Sequence, residues 1–229
     1  MLRQRKLARA GRPTLDYTQA LDHGVGTRGA SASAATPVAA IFNIPANVPP
    51  PRNRVRIIGG QWRSRYLRFP ALPDLRPTPD RVRETLFNWL GQDLTGRACL
   101  DLFAGRGALG LEAASRGARR VVLVERNAEA FRALEDNVRT LKASSVELVR
   151  ADALEFLRGD IRLYDVVFLD PPYAMDDRIG LLDAVRGHLG AEGVVYMETP
   201  QRMRLPPQWE ALRQARAGAV QFQLLRVAP

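Results

Sequence analysis

Cysteine is almost absent from this chain. Cys99 is the single one, and it lies inside an apolar segment. No disulfide framework and no cysteine-rich metal cluster can form within the chain, and a reducing cytoplasm is the default setting. The only histidines are His23 and His188, too few and too scattered for a metal site. No apolar run approaches the roughly 18–20 residues needed to span a bilayer. Lysine is confined to Lys6 and Lys142, so the basic charge is nearly all arginine, a bias that genome base composition alone can produce. Between Arg52 and Phe69 there is no acidic residue at all. These absences set the expectation of a cytoplasmic protein without metal or membrane.

What is present is globular in composition. The 229 residues are 46% hydrophobic and 25% charged, enough for one sizeable domain and an appendage. A formal net charge of +10 favours a polyanionic partner, most often nucleic acid. Residues 1–53 fall outside this pattern. Gly29 to Pro51 is rich in Ala, Ser and Pro and ends in Pro49-Pro50-Pro51, with no sustained helical or strand period. The first dozen residues are basic, suited to a short amphipathic helix or a phosphate-binding tail. No apolar core follows them, so the signal-peptide pattern fails, although low acidity also fits an organellar transit peptide. The sequence predicts a disordered, dispensable extension over 1–53.

The texture changes at Arg54. Val55 to Ile58, Gly59-Gly60 and Gln61 to Phe69 read as a hairpin with a tight glycine turn. Arginines at 52, 54, 56, 63, 65 and 68 alternate with Trp62, Tyr66 and Phe69, the mixture expected of an RNA-contacting surface. A solvated edge ribbon whose charges discourage strand pairing has the same composition. Next, Thr78 suits a helix N-cap, with Pro79 at the first helical position and Asp80 in the first turn. Val82, Leu86 and Trp89/Leu90 then share one face, and Gly91 ends the helix. Residues 54–95 are predicted to form an arm that packs on the main domain.

From residue 96 strands and helices alternate, which predicts a doubly wound α/β sheet with right-handed crossovers. Strands are expected at Ala98 to Phe103, Arg120 to Glu125, Val146 to Arg150, Tyr164 to Leu169 and Gly193 to Glu198. Trp209 to Ala215 and Ala219 to Val227 close the sheet as an antiparallel pair, with Gly218 at their turn. Helices are expected after Gly105, over Asn127 to Leu141, over Asp152 to Leu157 and over Ile179 to Leu189. Gly105, Gly107 and Gly110 match a glycine-rich turn between a strand and a helix. There the backbone can approach a ligand closely and the helix N-terminus offers free N–H groups.

Four acids fall at the carboxyl ends of successive strands, where open α/β sheets bind ligands. They are Asp101, Glu125, Asp152 and Asp170. Glu125 suits ribose hydroxyls, Asp152 an adenine amino group, and Asp101 the amino-acid end of a methionine-derived cofactor rather than a pyrophosphate. Singly, each also reads as a turn cap, a solvated strand end or a helix N-cap. Asp170-Pro171-Pro172-Tyr173 is the most informative stretch. An acid and a rigid backbone carbonyl can hold the two hydrogens of an exocyclic amino group while a ring stacks on its base. A nicotinamide dinucleotide fits the glycine turn alone, but a dehydrogenase has no use for that loop.

Asp101 to Ala118, with Asp170 to Tyr173, resembles the class I S-adenosylmethionine-dependent methyltransferases. Arg56-Ile-Ile-Gly-Gly-Gln-Trp-Arg63 and Arg76-Pro-Thr-Pro-Asp-Arg-Val-Arg-Glu-Thr-Leu-Phe-Asn-Trp-Leu90 are more specific. They resemble the bacterial family that methylates guanine-966 N2 of 16S ribosomal RNA. The resemblance covers residues 54–227 and implies a Rossmann-like class I fold. That fold is a seven-stranded, mostly parallel sheet of order 3-2-1-4-5-7-6 with an N-terminal hairpin and helix arm over 54–95 and a catalytic domain over 96–229. It implies S-adenosylmethionine held by Asp101, Phe103, Ala104, Gly105, Gly107, Gly110, Glu125, Arg126, Asp152 and Ala153. Catalysis would fall to Asp170, Pro171, Pro172 and Tyr173. Arg56, Arg63, Arg65, Arg68, Arg76 and Arg81 would contact RNA. The implied partner is 16S rRNA in the small ribosomal subunit or its assembly intermediate, and the protein is expected to be a monomer. Two departures stand out: Arg106 replaces a small serine in the glycine turn, and the last strand has leucine where tyrosine is frequent. Two other readings share these motifs. An N6-adenine DNA methyltransferase uses the same Asp-Pro-Pro-Tyr loop, and a non-catalytic RNA-binding or assembly protein can retain a vestigial cofactor fold.

Overall fold

The computed structural model describes residues 53–70 and 78–229. The predicted N-terminal extension, apart from its last residue, and Arg76 lie outside the described residues. A short antiparallel ribbon, β1 (Arg54–Arg56) and β2 (Tyr66–Arg68), is followed by α1 (Asp80–Leu90). Then come β3 (Ala98–Asp101), α2 (Gly110–Ser115), β4 (Arg120–Val124), α3 (Ala128–Leu141), β5 (Val146–Val149) and α4 (Ala153–Gly159). β6 (Tyr164–Leu169), α5 (Arg178–Arg186), β7 (Leu189–Thr199), β8 (Trp209–Ala217) and β9 (Val220–Val227) complete the chain. The seven-stranded sheet runs β5-β4-β3-β6-β7-β9-β8. Counted from β3 as the first strand, that order is 3-2-1-4-5-7-6. Its first five strands are parallel, and β9 joins β7 and β8 antiparallel.

Central strands are apolar on both faces, as a covered parallel sheet requires. Alternation divides their side chains into two cores. Cys99, Val121, Val166, Phe168, Val194 and Tyr196 pack on the side that holds the ribbon, α1, α2 and α3. Leu100, Val122, Val167, Leu169, Val195 and Met197 pack on the side of α4 and α5. On the first side a chain of rings links α1 to the sheet edge. Phe87 meets Phe168 at 6.2 Å, Phe168 meets Tyr196 at 6.4 Å, and Trp89 stacks on Phe222 at 5.2 Å.

Two local expectations are corrected. Gly59-Gly60 is not a two-residue hairpin turn, because β1 and β2 are separated by a loop closed by Ser64 N donating to Ile57 O at 2.8 Å. The glycines serve close approach instead. A Cβ on Gly60, which has φ +72°, would lie 1.9 Å from the Ser115 carbonyl oxygen. Thr78 does not cap α1: Pro79 holds the cap position and no side chain satisfies it.

The arm is fixed to the sheet domain by a buried ionic cluster that hydrophobic patterning does not predict. The side chains of Arg83 on α1 and Glu112 on α2 are fully buried and 3.2 Å apart. Glu112 also accepts from the amides of Ile58 and Gly59, at 2.9 and 2.7 Å, and from Arg116 Nη2 at 2.9 Å. Arg83 Nη2 donates to Arg56 O at 2.8 Å and to Asp80 Oδ1 at 2.5 Å. Removing one partner leaves the rest as uncompensated buried charge, a loss of about 3–5 kcal/mol. Glu112→Ala is expected to lower unfolding free energy by about that amount in denaturant titration. A loss below about 1 kcal/mol would show that the arm is held by its apolar contacts alone.

Candidate active site

The site is assembled at the carboxyl ends of β3, β6 and β7, which are neighbours in the sheet. Asp101 ends β3 and has the same parity as Cys99, so it faces the α1 side. Asp170 follows β6 with the parity of Val166 and Phe168 and faces the same side. Glu198 near the end of β7 has the parity of Val194 and Tyr196 and joins them.

Asp101 is fully buried. Its Oδ2 accepts from Gly110 N at 3.0 Å, while Oδ1 is buried without a hydrogen bond of good geometry. Burial is the main cause that pushes its pKa up to about 7. The Asp170 and Glu125 charges add to the rise, and the Gly110 and, more weakly, Phe103 amides oppose it. The glycine turn is shaped by steric need. Gly105 and Gly107 have φ of +49° and +74°. A Cβ on Gly110 would sit 2.1 Å from Leu123 Cδ2 and 3.1 Å from Asp101 Cβ, so a larger residue there would have to displace the Leu123 side chain. Ala104 is buried in the core on the α1 side and donates from N to Val124 O at 2.9 Å, while Phe103 packs against the core on the α4 and α5 side.

Glu125 lies just past β4 and braces that turn. Its Oε2 accepts from Gly105 N at 2.8 Å and its Oε1 from Asn127 N at 2.6 Å. Arg126 beside it is exposed. Asp152 is the N-cap of α4 and accepts from Leu154 and Glu155 amides through Oδ1 at 2.9 and 3.4 Å. Both capping bonds use one oxygen, which leaves Oδ2 for a further donor. Ala153 follows as the first, buried residue of α4.

The loop Asp170–Tyr173 is held from two sides. Thr78, immediately before Pro79 and α1, donates from Oγ1 to Asp170 Oδ2 at 3.4 Å. Arg178 of α5 donates to the carbonyls of Pro172 and Tyr173 at 3.4 Å each and also bonds Met175 O. Pro171 is buried, Pro172 is exposed, and Tyr173 is half exposed. Burial raises the Asp170 pKa to about 6 against the opposing pull of Thr78 and Arg178. Glu198 is buried and accepts from the Tyr196 hydroxyl at 2.7 Å. Thr78, Arg178 and Glu198 are the site residues that sequence reasoning missed. Glu198 carried the same signal as the other acids, a carboxylate closing an apolar strand.

The arm's arginines at 56, 63, 65 and 68 are exposed, as is Arg81 on α1. Arg56 pairs with Asp80 at 3.4 Å and Arg65 donates to Thr140 O at 3.1 Å. The aromatic part of the expectation is corrected: Trp62 and Phe69 are buried in the core, and only Tyr66 is exposed, under Arg54 at 4.2 Å. Arg106 lies with its guanidinium 4.0 Å over the Phe69 ring, so it is absorbed into the contact between glycine turn and arm. Among the described residues no cluster of His, Cys, Asp or Glu has metal-site geometry.

This sheet order, with a glycine turn after the first sheet strand and acids at the strand ends, defines a Rossmann-like class I methyltransferase fold. It is shared with a precorrin-6Y C5,15-methyltransferase from Geobacter metallireducens, at TM-score 0.54 and 21% identity over 69% of this chain and 92% of that one. A solved methyltransferase from Escherichia coli superposes at TM-score 0.69 with 40% identity, covering 76% of this chain and 98% of the other. The ribosomal RNA small subunit methyltransferase D of Escherichia coli is 43% identical over 177 residues, covering 75% of this chain and 89% of that protein. The chain belongs to the same family, whose model, described as Conserved hypothetical protein 95, matches residues 55–226.

The buried Asp101 sets a pH dependence. A carboxyl whose folded pKa is raised costs nothing while protonated in both states, and costs stability as pH rises from its ordinary value near 4 toward 7. Asp101→Asn is therefore expected to have a higher thermal midpoint than the parent at pH 8 and an equal one below about pH 4. A parent that is the more stable at pH 8 would show that Asp101 is not a strained, buried acid.

Proposed function

We propose that this protein methylates the exocyclic N2 of a guanine in 16S rRNA of the small ribosomal subunit, of the position-966 type, using S-adenosylmethionine. The observation that carries the reading is the juxtaposition of the Asp170–Tyr173 loop with the glycine turn, beside an anchored arginine-rich arm. The related Escherichia coli protein is named for small-subunit ribosomal RNA, and the arm carries exposed arginines at 56, 63, 65, 68 and 81 that suit a polyanion.

The residues fit the cofactor. Asp101 Oδ1 is a buried acceptor lacking a good donor, which an ammonium group would supply. Glycines at 105, 107 and 110 leave no side chain to fill the cradle, Glu125 lies beside it for ribose hydroxyls, and Asp152 keeps one oxygen for the adenine amino group. Phe103, Ala104, Arg126 and Ala153, adjacent in sequence to these groups, are assigned to the same cofactor. When bound, the cofactor supplies a methyl carbon on a sulfonium centre.

The chain's own task is to present the base. A guanine N2 must be unstacked and rotated out to be reached. Tyr173 stacks on the base, and Asp170 with the Pro171 carbonyl accept the two amino hydrogens. The nitrogen lone pair is thereby turned from the ring toward the methyl carbon. Asp170 would take the proton that the amino group releases on gaining the methyl group and pass it to water. Rate enhancement comes mainly from positioning. Residues 54–95 serve as the RNA-binding arm and 96–229 as the catalytic domain of a cytoplasmic monomer.

Asp170→Ala is expected to abolish transfer to small ribosomal subunits while S-adenosylmethionine binding, followed by calorimetry, persists. Near-normal turnover would remove Asp170 from the chemistry, and transfer to duplex DNA but not to subunits would select the adenine reading. Arg63, Arg65 and Arg68 replaced together by alanine should weaken RNA binding and flatten its dependence on salt. An unchanged affinity and salt slope would make the arm purely structural.

A further inference from the structure

Asp170 is not the only carboxylate at its end of the sheet. β6 and β7 are parallel, with Leu169 opposite Met197. One step further in that register stand Asp170 and Glu198, and strand alternation puts both on the α1 side. Glu198 is buried, and its Oε1 is occupied by the Tyr196 hydroxyl at 2.7 Å. Tyr196 is itself packed between Phe168 and Phe222, so the hydroxyl cannot follow Glu198 outward. Among the described residues no arginine or lysine forms an ion pair with Glu198. Two carboxylates beside each other in an apolar, cation-poor site cannot both ionise cheaply.

We propose that Glu198 is the partner of Asp170 in a carboxylate dyad that shares one proton. Glu198 holds the proton and directs it at Asp170, and Asp170 remains ionised as the acceptor for the substrate's amino group. This rests on the function proposed above and assigns a positioning residue to that site. The groups facing the dyad are Thr78 before α1, Asp101 at the end of β3, Arg178 on α5 and Tyr196 on β7. β9 contributes only Phe222 opposite Glu198, without charge. Burial, followed by the Asp170 charge, raises the Glu198 pKa to about 8, above that of Asp170 at about 6. Thr78 and Arg178 favour the ionised form of Asp170, and among the described residues no cation does so for Glu198, so the pair's shared proton is placed on Glu198 at neutral pH. During transfer the amino proton then lands on Asp170, the dyad becomes neutral, and its excess proton leaves to water, so no further acceptor is needed.

The test is a carboxyl 13C NMR titration of the full-length protein labelled with glutamate, without substrate. The expected result is one glutamate carboxyl titrating near pH 8 that is missing from Glu198→Gln. In Asp170→Asn its midpoint should fall by about one pH unit or more, because the like charge is gone. A wild-type Glu198 titrating in the ordinary range near pH 4–5, or a midpoint unmoved by Asp170→Asn, would overturn the proposal. A kinetic arm separates positioning from packing. In Glu198→Ala the acid limb of kcat/KM should move up by about one pH unit, because Asp170 loses its donor, and Glu198→Gln should restore the limb. A limb that stays put in Glu198→Ala would also overturn it. Because the titration is read without substrate, its failure is distinct from retained turnover in Asp170→Ala, which counts against the role of Asp170 itself.

Discussion

Glu112 is the constraint on which the arrangement depends. Its buried carboxylate satisfies two arm amides, Arg83 of α1 and Arg116 at the end of α2. A buried charge of this kind is stable only when every partner is present. It therefore fixes three segments at once: the ribbon, α1 and the helix that follows the glycine turn. The consequence for the site is direct. Thr78 precedes α1 and reaches Asp170 from a helix held both by this cluster and by Phe87 against Phe168 of β6. The arm is thus joined to the Asp170–Tyr173 loop as well as to the sheet.

Sheet geometry does the rest. Strand alternation sends Asp101, Asp170 and Glu198 to one face at the ends of three adjacent strands. Each is buried enough to raise its pKa, so the site concentrates acceptors without strong compensating cations. Such a site favours ligands that bring hydrogen-bond donors and positive charge, which a sulfonium cofactor with a free amine and an exocyclic amino group both do. Arg178 beside the loop is spent on its backbone carbonyls, and the arm's exposed arginines are suited to a polyanion.

Much of this was legible in the sequence. The alternating apolar runs marked the sheet strands, and Asp170 to Tyr173 stood out because acid, rigid carbonyl and ring together suit an amino group, although a strand-ending loop with a packed tyrosine reads the same. Three features were hidden for physical reasons. Arg83 sits on a helix whose period marks its neighbours as buried, yet an arginine reads as a solvent-facing residue; only its buried partner, 29 positions away, makes it a core residue. Gly59-Gly60 has the composition of a tight turn, and the close approach to Ser115 that requires it is a tertiary fact. Thr78 has the spacing of a helix cap, but its hydroxyl is drawn to Asp170. Glu198, by contrast, displayed the pattern of the other strand-end acids and was readable on the same grounds.

The central claim is that the Asp170 loop presents the N2 amino group of a guanine. The most direct measurement is nucleoside mass spectrometry of 16S rRNA from small subunits that lack the modification, after incubation with this protein and labelled S-adenosylmethionine. The account predicts label in N2-methylguanosine at a single position. Label in N6-methyladenosine, or methylguanosine carrying the group on a ring nitrogen, would contradict it.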